Sequence, residues 1–384
     1  MASLSPDLSR RELSLTDRVR GLRWDLVVLI SLIAGIGFAM LYSAANGNIH
    51  PWASRQLARF AVAFLPMLAA ALIDIRYWFR LSYWIYGVAL LLVVLVDLRG
   101  FVGMGAQRWI DLGVIQLQPS EIMKIALVLA LARYFHCLSN ESIGRILPLI
   151  APALMIGLPV ILVLKQPDLG TAIMLVINGA LLLYLAGVRL WIFAAAGAAA
   201  AVAAPLAWSM LRGYQKTRLY TFLDPDTDPL GAGYHILQSK IALGSGGLFG
   251  KGFLLGTQTH LSFLPEKQTD FIFTMIAEEF GLVGGLALLV LYTIVIGYGF
   301  AIALRCHNHF GRLLGLGLAT NFFLYVFINT AMVIGLIPVV GVPLPLISYG
   351  GTAMMTVMLG FGLLMNVNIH RDMRVSRLGE SQLG

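Results

Sequence analysis

The stretch Leu264 to Glu279, LPEKQTDFIFTMIAEE, gathers Glu266, Lys267, Asp270, Glu278 and Glu279 in a chain that is only 12% charged. Asp270 stands where a polar segment, about 212–269, gives way to an apolar run that starts at Phe271. An ionisable group at a bilayer boundary is costly to keep and tends to serve function. Aspartate at such a junction can also cap the helix that follows, accepting hydrogen bonds from first-turn N–H groups. Position alone leaves both roles open.

A second constellation lies in GAQRWIDLGVIQLQPSEIMK, which delivers Arg108, Trp109 and Asp111, then Glu121 and Lys124. Glu121 and Lys124 are three apart with the acid first, a spacing that predicts an ion pair on one helix face. Near a membrane boundary such a pair can also shape a polar pocket. Trp109 reads first as an interfacial anchor, and Asp168 in KQPDLGT as a helix cap. The run GSGGLFGKG, residues 244–252, invites a phosphate-loop reading and fails it. Ser245 stands where that motif needs glycine, and Gly252 where it needs serine or threonine. Its glycines are expected in tight turns, whose N–H groups could still hold an anion. His235 and His260 are isolated, and Cys137 and Cys306 have no partner spacing, so neither a metal cluster nor a disulfide is expected.

The elements that must position these residues are membrane spans. At 59% hydrophobic, with a mean hydropathy of +0.83, the chain is an integral membrane protein. Its net charge of +8 is spread over loops and tails. That distribution fits topology and contact with membrane lipids, and excludes nucleic-acid binding. Hydropathy predicts an all-α fold of ten spans, near 26–44, 57–73, 78–96, 120–138, 146–164, 169–188, 190–211, 270–304, 313–337 and 349–367. The eighth would be about 50 Å long at 1.5 Å per residue, so it must tilt, kink or project. IPVVGVPLPLISYGG, residues 337–351, cannot be a plain helix and should line a cavity or pack on protein.

Ten spans put both termini on one side. Arg76, Arg80, Arg145, Arg189, Arg305, Arg312 and the arginines of both tails share that side. The positive-inside rule makes it cytoplasmic and puts the Asp270 loop outside. The expected organisation is a cytoplasmic tail, 1–23, without a signal-peptide pattern. A membrane domain, 24–367, follows with an external loop about 212–269, then a cytoplasmic tail, 368–384.

Six strings in order, GAQRWIDLG, QPSEIMK, QPDLGT, GSGGLFGKGF, FLPEKQTDFIF and PLPLISYGG, resemble the SEDS family (shape, elongation, division and sporulation). GTQTHLSFLPE is similar to its elongation branch rather than its division branch. Gln268 departs from the histidine of many relatives, which argues against an essential imidazole there. The resemblance implies a peptidoglycan glycosyltransferase that polymerises lipid II on the outer face of the bacterial cytoplasmic membrane. It implies Asp270 as general base for attack of an acceptor GlcNAc 4-hydroxyl on the donor MurNAc C1. Undecaprenyl pyrophosphate would leave, and that anion needs cations.

Arg108, Trp109, Glu121, Lys124, Lys240, Glu266, Lys267 and Thr269 are then expected around the pocket, with Lys251 a further cation. A divalent ion, Mg or Mn, bridging pyrophosphate and carboxylate is chemically reasonable, but no ligand cluster demands one. Implied partners are an elongation-type class B penicillin-binding protein (the transpeptidase), other elongation-complex proteins, lipid II and the undecaprenyl-pyrophosphate-linked glycan. A flippase or other transporter would share the polytopic body and its broken helices. The charges gather near the outer boundary rather than the midplane, which favours chemistry there. A scaffold would act through its span faces, not through a polar loop.

Overall fold

A chain surrounded by hydrocarbon must satisfy each backbone N–H and C=O within its own segment, so apolar runs become helices. The computed structural model describes residues 14–99, 101–103, 106–111, 116–139, 141–210, 213–224, 232–257, 267–373 and 375–376. Its helices are α1 (Leu15–Arg20), α2 (Trp24–Ala44), α3 (Trp52–Leu72), α4 (Ile75–Arg99), α5 (Pro119–Cys137), α6 (Ile150–Lys165), α7 (Leu169–Leu185) and α8 (Leu190–Met210). They continue as α9 (Gly213–Leu223), α10 (Ala232–Ser245), α11 (Ile272–Leu304), α12 (His309–Ile334) and α13 (Gly351–Ile369). Three short strands, β1 (Phe101–Gly103), β2 (Ala106–Asp111) and β3 (Gln116–Leu117), form an antiparallel sheet in that order.

Among the described residues seven helices are long and apolar enough to cross a bilayer. They are α2, α3, α4, α6 with its preceding turn, α11, α12 and α13. α7 is a shorter apolar helix, as is the stretch Leu190–Pro205 of α8. α5 interrupts its apolar sequence with Glu121, Lys124 and Arg133. The most enclosed of the seven is α12, with 83% of its apolar window buried. Asn308 opens it by accepting from the Phe310 N–H at 3.0 Å, and Gly335 closes it in the left-handed region at φ 82°.

The polar segment, expected as a loop, contains α9 and α10, which hydropathy cannot find because their faces are mixed. Ser239 of α10 donates to the Val333 carbonyl at 2.9 Å and meets the Thr274 hydroxyl at 2.9 Å. These bonds fasten α10 to α12 and α11. Of the tilt, kink or projection expected of the eighth span, the structure shows a kink: α11 is interrupted at Gly281, whose φ of 67° and ψ of −165° no helix contains. The proline-rich run is irregular, as expected, and buries Val340, Val342, Leu344, Leu346 and Ile347.

Candidate functional site

Three consecutive carbonyls hold the backbone around Asp270. That of Gln268 accepts from the Tyr349 N–H at 2.8 Å, and that of Thr269 from the Ser348 hydroxyl at 2.6 Å. The Asp270 carbonyl accepts from the Asn329 amide at 2.9 Å. The same Asn329 nitrogen also donates to Val342 at 2.7 Å. Asp270 is therefore wedged between α12 and the proline-rich run. Its carboxylate lies over Gly341, where a side-chain carbon would stand 3.5 Å from Oδ2. α11 begins at Ile272 with Phe271, rather than Asp270, in the capping position.

Below this loop α11 would run straight past its neighbours if Gly281 did not break it. The glycine-rich run docks into the break through four main-chain bonds. Lys251 and Gly252 N–H groups donate to the Glu278 and Glu279 carbonyls, and Leu282 and Val283 N–H groups to Gly247 and Leu248. A side-chain carbon on Gly246 would collide with the Ala277 carbonyl, and one on Gly250 with that of Glu279. Close approach, beyond the turns expected, is what these glycines provide. Around the break Lys251 pairs with buried Glu278 at 2.8 Å, and the Ser43 hydroxyl donates to buried Glu279.

Glu121 and Lys124 form the expected pair at 2.6 Å, with side chains only 4% and 1% exposed. Burial of that degree is costly unless the remaining valences are met. Tyr325 meets them: its hydroxyl donates to Glu121 Oε2, and its ring lies 4.1 Å from the Lys124 ammonium. Tyr325 and Asn329 are four apart on α12, hence on one face and about 6 Å apart along the axis. One helix face thus joins the buried ion pair to the Asp270 loop. Sequence reasoning missed both residues; a tyrosine and an asparagine at helical spacing in an apolar run were the available signal.

Other expected positions divide. Asp168 caps α7, accepting from the Thr171 N–H at 3.1 Å and hydroxyl at 2.9 Å, and from Gln118 at 3.1 Å. Arg108, expected to face an anion, donates instead to the carbonyls of Gln166, at 3.0 Å, and Pro167. Those carbonyls belong to the tight turn before α7, which frees them to accept. Trp109 is half-buried on β2, opposite Phe101. Lys240 is exposed and lies over Gly335, beside the C-terminus of α12, where the helix dipole favours a cation. Lys267 is buried, and burial lowers its pKa; Thr269 is half-buried. Glu266, His260 and the side chains of Asp111 and His235 lie outside the described residues. Among the described residues no three His, Cys, Asp or Glu side chains gather as a metal site.

Residues 21–373 match the model of a family of cell cycle proteins that groups FtsW, RodA and SpoVE. The chain is 44% identical over 355 residues to the peptidoglycan glycosyltransferase MrdB of Escherichia coli strain K12, covering 91% of this chain and 93% of that one. It superposes with a TM-score of 0.79 on a solved chain of a peptidoglycan synthase complex that coordinates polymerization and crosslinking. The identity is 33%, over 91% of this chain and 98% of that one. A crystal structure of the rod shape determining protein RodA of Thermus thermophilus matches with a TM-score of 0.69 and 30% identity, over the same shares.

Proposed function

The chain belongs to the FtsW/RodA/SpoVE family and is a peptidoglycan glycosyltransferase of the elongation type, and on that premise we propose that Asp270 is its general base. The observation that carries this reading is the three-carbonyl anchorage of residues 268–270. It holds one carboxylate at the junction of a polar segment and a helix, about one turn of α12 from a buried ion pair. A base gains rate from being fixed where the proton will leave.

In the proposed step the 4-hydroxyl oxygen of the acceptor GlcNAc bonds to C1 of the donor MurNAc as its proton passes to Asp270. The bond from C1 to the diphosphate oxygen breaks, the electron pair leaves with undecaprenyl pyrophosphate, and C1 inverts. Lys267, the cation three residues before the base, is assigned to the developing diphosphate charge. Glu121, Lys124 and Tyr325 set the floor of the pocket. Arg108 shapes its wall through the turn before α7, and Trp109, Thr269, Lys240 and Glu266 stay as surrounding positions. Asp270 would be the first ligand for a divalent ion at the diphosphate, which would supply charge neutralisation.

The protein is a multi-pass membrane protein of the bacterial inner membrane. The finer organisation is also a proposal: ten spans, both termini cytoplasmic, tails at 1–23 and 368–384, and the 212–269 segment with Asp270 outside. A class B penicillin-binding transpeptidase is the proposed partner, with lipid II and the lipid-linked glycan as substrates.

The test is purified full-length protein given labelled lipid II, with and without the transpeptidase. A ladder of glycan products supports the reading. Transbilayer movement of lipid II without any polymer would replace it with a transporter, the role that broken helices also suit.

A further inference from the structure

At the opposite end of α11 from Asp270, an open pocket of about 340 Å³ lies between the start of α2, α11 and α13. Its wall is Ile294, Gly297 and Ala301, and its mouth carries Arg23, Tyr298 and Arg305. Arg23 immediately precedes α2 and Arg305 immediately follows α11. Both cations therefore sit at helix ends, the level at which a bilayer changes from acyl chains to headgroups. Tyr298 adds an amphipathic ring at the same level.

The charges are unequally committed. Arg23 gives Nε and Nη2 to Asp25, at 3.0 and 2.6 Å, and its guanidinium stands 5.4 Å from the Tyr298 ring centre. The guanidinium of Arg305 is exposed and makes no hydrogen bond or ion pair among the described residues. With Asp25 counted, the mouth keeps a net positive charge. Beneath it, a side-chain carbon added at Gly297 would meet nothing within 4 Å, and Ile294 is 43% exposed. The pocket thus combines a cationic mouth with an apolar, unfilled channel along α11.

We propose that this pocket binds a phospholipid with an anionic phosphodiester headgroup, its phosphate between Arg23 and Arg305 and one acyl chain along Gly297 and Ile294. A free phosphate shares the headgroup chemistry, but the apolar wall below the arginines is the feature that selects a lipid. A zwitterionic headgroup would bring its own cation against Arg305, so phosphatidylglycerol is preferred over phosphatidylcholine. The site is independent of the assignment of Asp270.

Native mass spectrometry of the delipidated full-length protein, titrated with phosphatidylglycerol, tests this. Phosphatidylglycerol should bind more tightly than phosphatidylcholine of the same chains. Arg305→Gln should weaken phosphatidylglycerol by about fivefold and leave phosphatidylcholine unchanged. Gly297→Phe, which fills the channel, should weaken both. Arg305 is exposed, so its variant should fold as the parent does, and matched elution profiles check that for each protein. Equal affinity for the two lipids, or unchanged phosphatidylglycerol binding in both variants, overturns the proposal. Displacement of the lipid by inorganic phosphate would overturn it too, and assign the pocket to a soluble anion.

Discussion

Asn329 reaches the Asp270 carbonyl at 2.9 Å with the same amide nitrogen that reaches Val342 at 2.7 Å. One side chain of α12 thus ties the Asp270 loop to the proline-rich run.

Asn329→Leu keeps the volume and removes both bonds. The Val342 carbonyl loses a buried donor, which costs about 1–3 kcal/mol, so the melting temperature should fall. Polymerisation should drop by at least about tenfold, because a displacement of about 1 Å is enough for that. Unchanged kcat in protein matched for monodispersity would show that the loop holds Asp270 without this amide.

Asp270→Asn should abolish polymerisation while leaving folding and transpeptidase binding intact. The amide is nearly isosteric but has no useful basicity, and general-base assistance is worth roughly 100- to 10,000-fold. Asp270→Glu keeps the charge and moves it by one methylene, so it should be badly impaired as well. Near-normal glycan chains from Asp270→Asn would remove the base from the mechanism.

Lys124→Ala leaves Glu121 buried and unpaired, a loss of about 3–5 kcal/mol. Glu121→Gln combined with Lys124→Met should recover much of that stability without recovering activity. The measurement is a double-mutant cycle in thermal unfolding. Additive effects would mean that the two charges are not coupled.

Gly250→Ala should destabilise the fold and slow polymerisation, because the new methyl would strike the Glu279 carbonyl and φ there is +80°. Gly244→Ala is the control, since its new carbon meets nothing within 4 Å. Equal thermal stability and activity of the two variants would contradict the docking of this run into the α11 break.

Asp74 offers a pH test between α3 and α4. Burial works to raise its pKa, but hydrogen bonds from the Arg76 side chain and backbone outweigh it and hold the carboxyl below its ordinary 3.8. A depressed folded-state pKa contributes stability that is fully present above the unfolded value and is lost as pH falls through the folded one. Melting temperature should therefore decline below about pH 4 in part through this group. Asp74→Asn should start lower at neutral pH and decline less; parallel curves would exclude the contribution.

The apolar runs were legible because hydropathy reports span position directly, and observed helices start and stop within a few residues of the expected bounds. Glu121 and Lys124 were legible for a similar reason: their pairing is local to one helix. Tyr325 was not, because it meets Glu121 across 204 positions of sequence and reads as one more aromatic in an apolar helix. The glycine-rich run betrayed turns but not its partner, since main-chain docking leaves no side-chain pattern. Arg108 advertised charge, whereas its hydrogen bonds go to uncharged carbonyls that any sequence carries. The assembly of Asp270 with Asn329 and Ser348 depends on the same long-range contacts.

The break at Gly281 divides α11 into an upper piece, Ile272–Phe280, and a lower piece that ends at Leu304, and the glycine-rich run is bonded to both: its N–H groups to the Glu278 and Glu279 carbonyls, its carbonyls to the Leu282 and Val283 N–H groups. An interrupted helix has no hydrogen-bond ladder of its own to set the angle between its pieces. Here a second segment supplies the missing partners from outside, so the glycine-rich run acts as a splint across the break. The direction in which the piece beginning beside Asp270 leaves the lower piece is therefore set by residues 247–252.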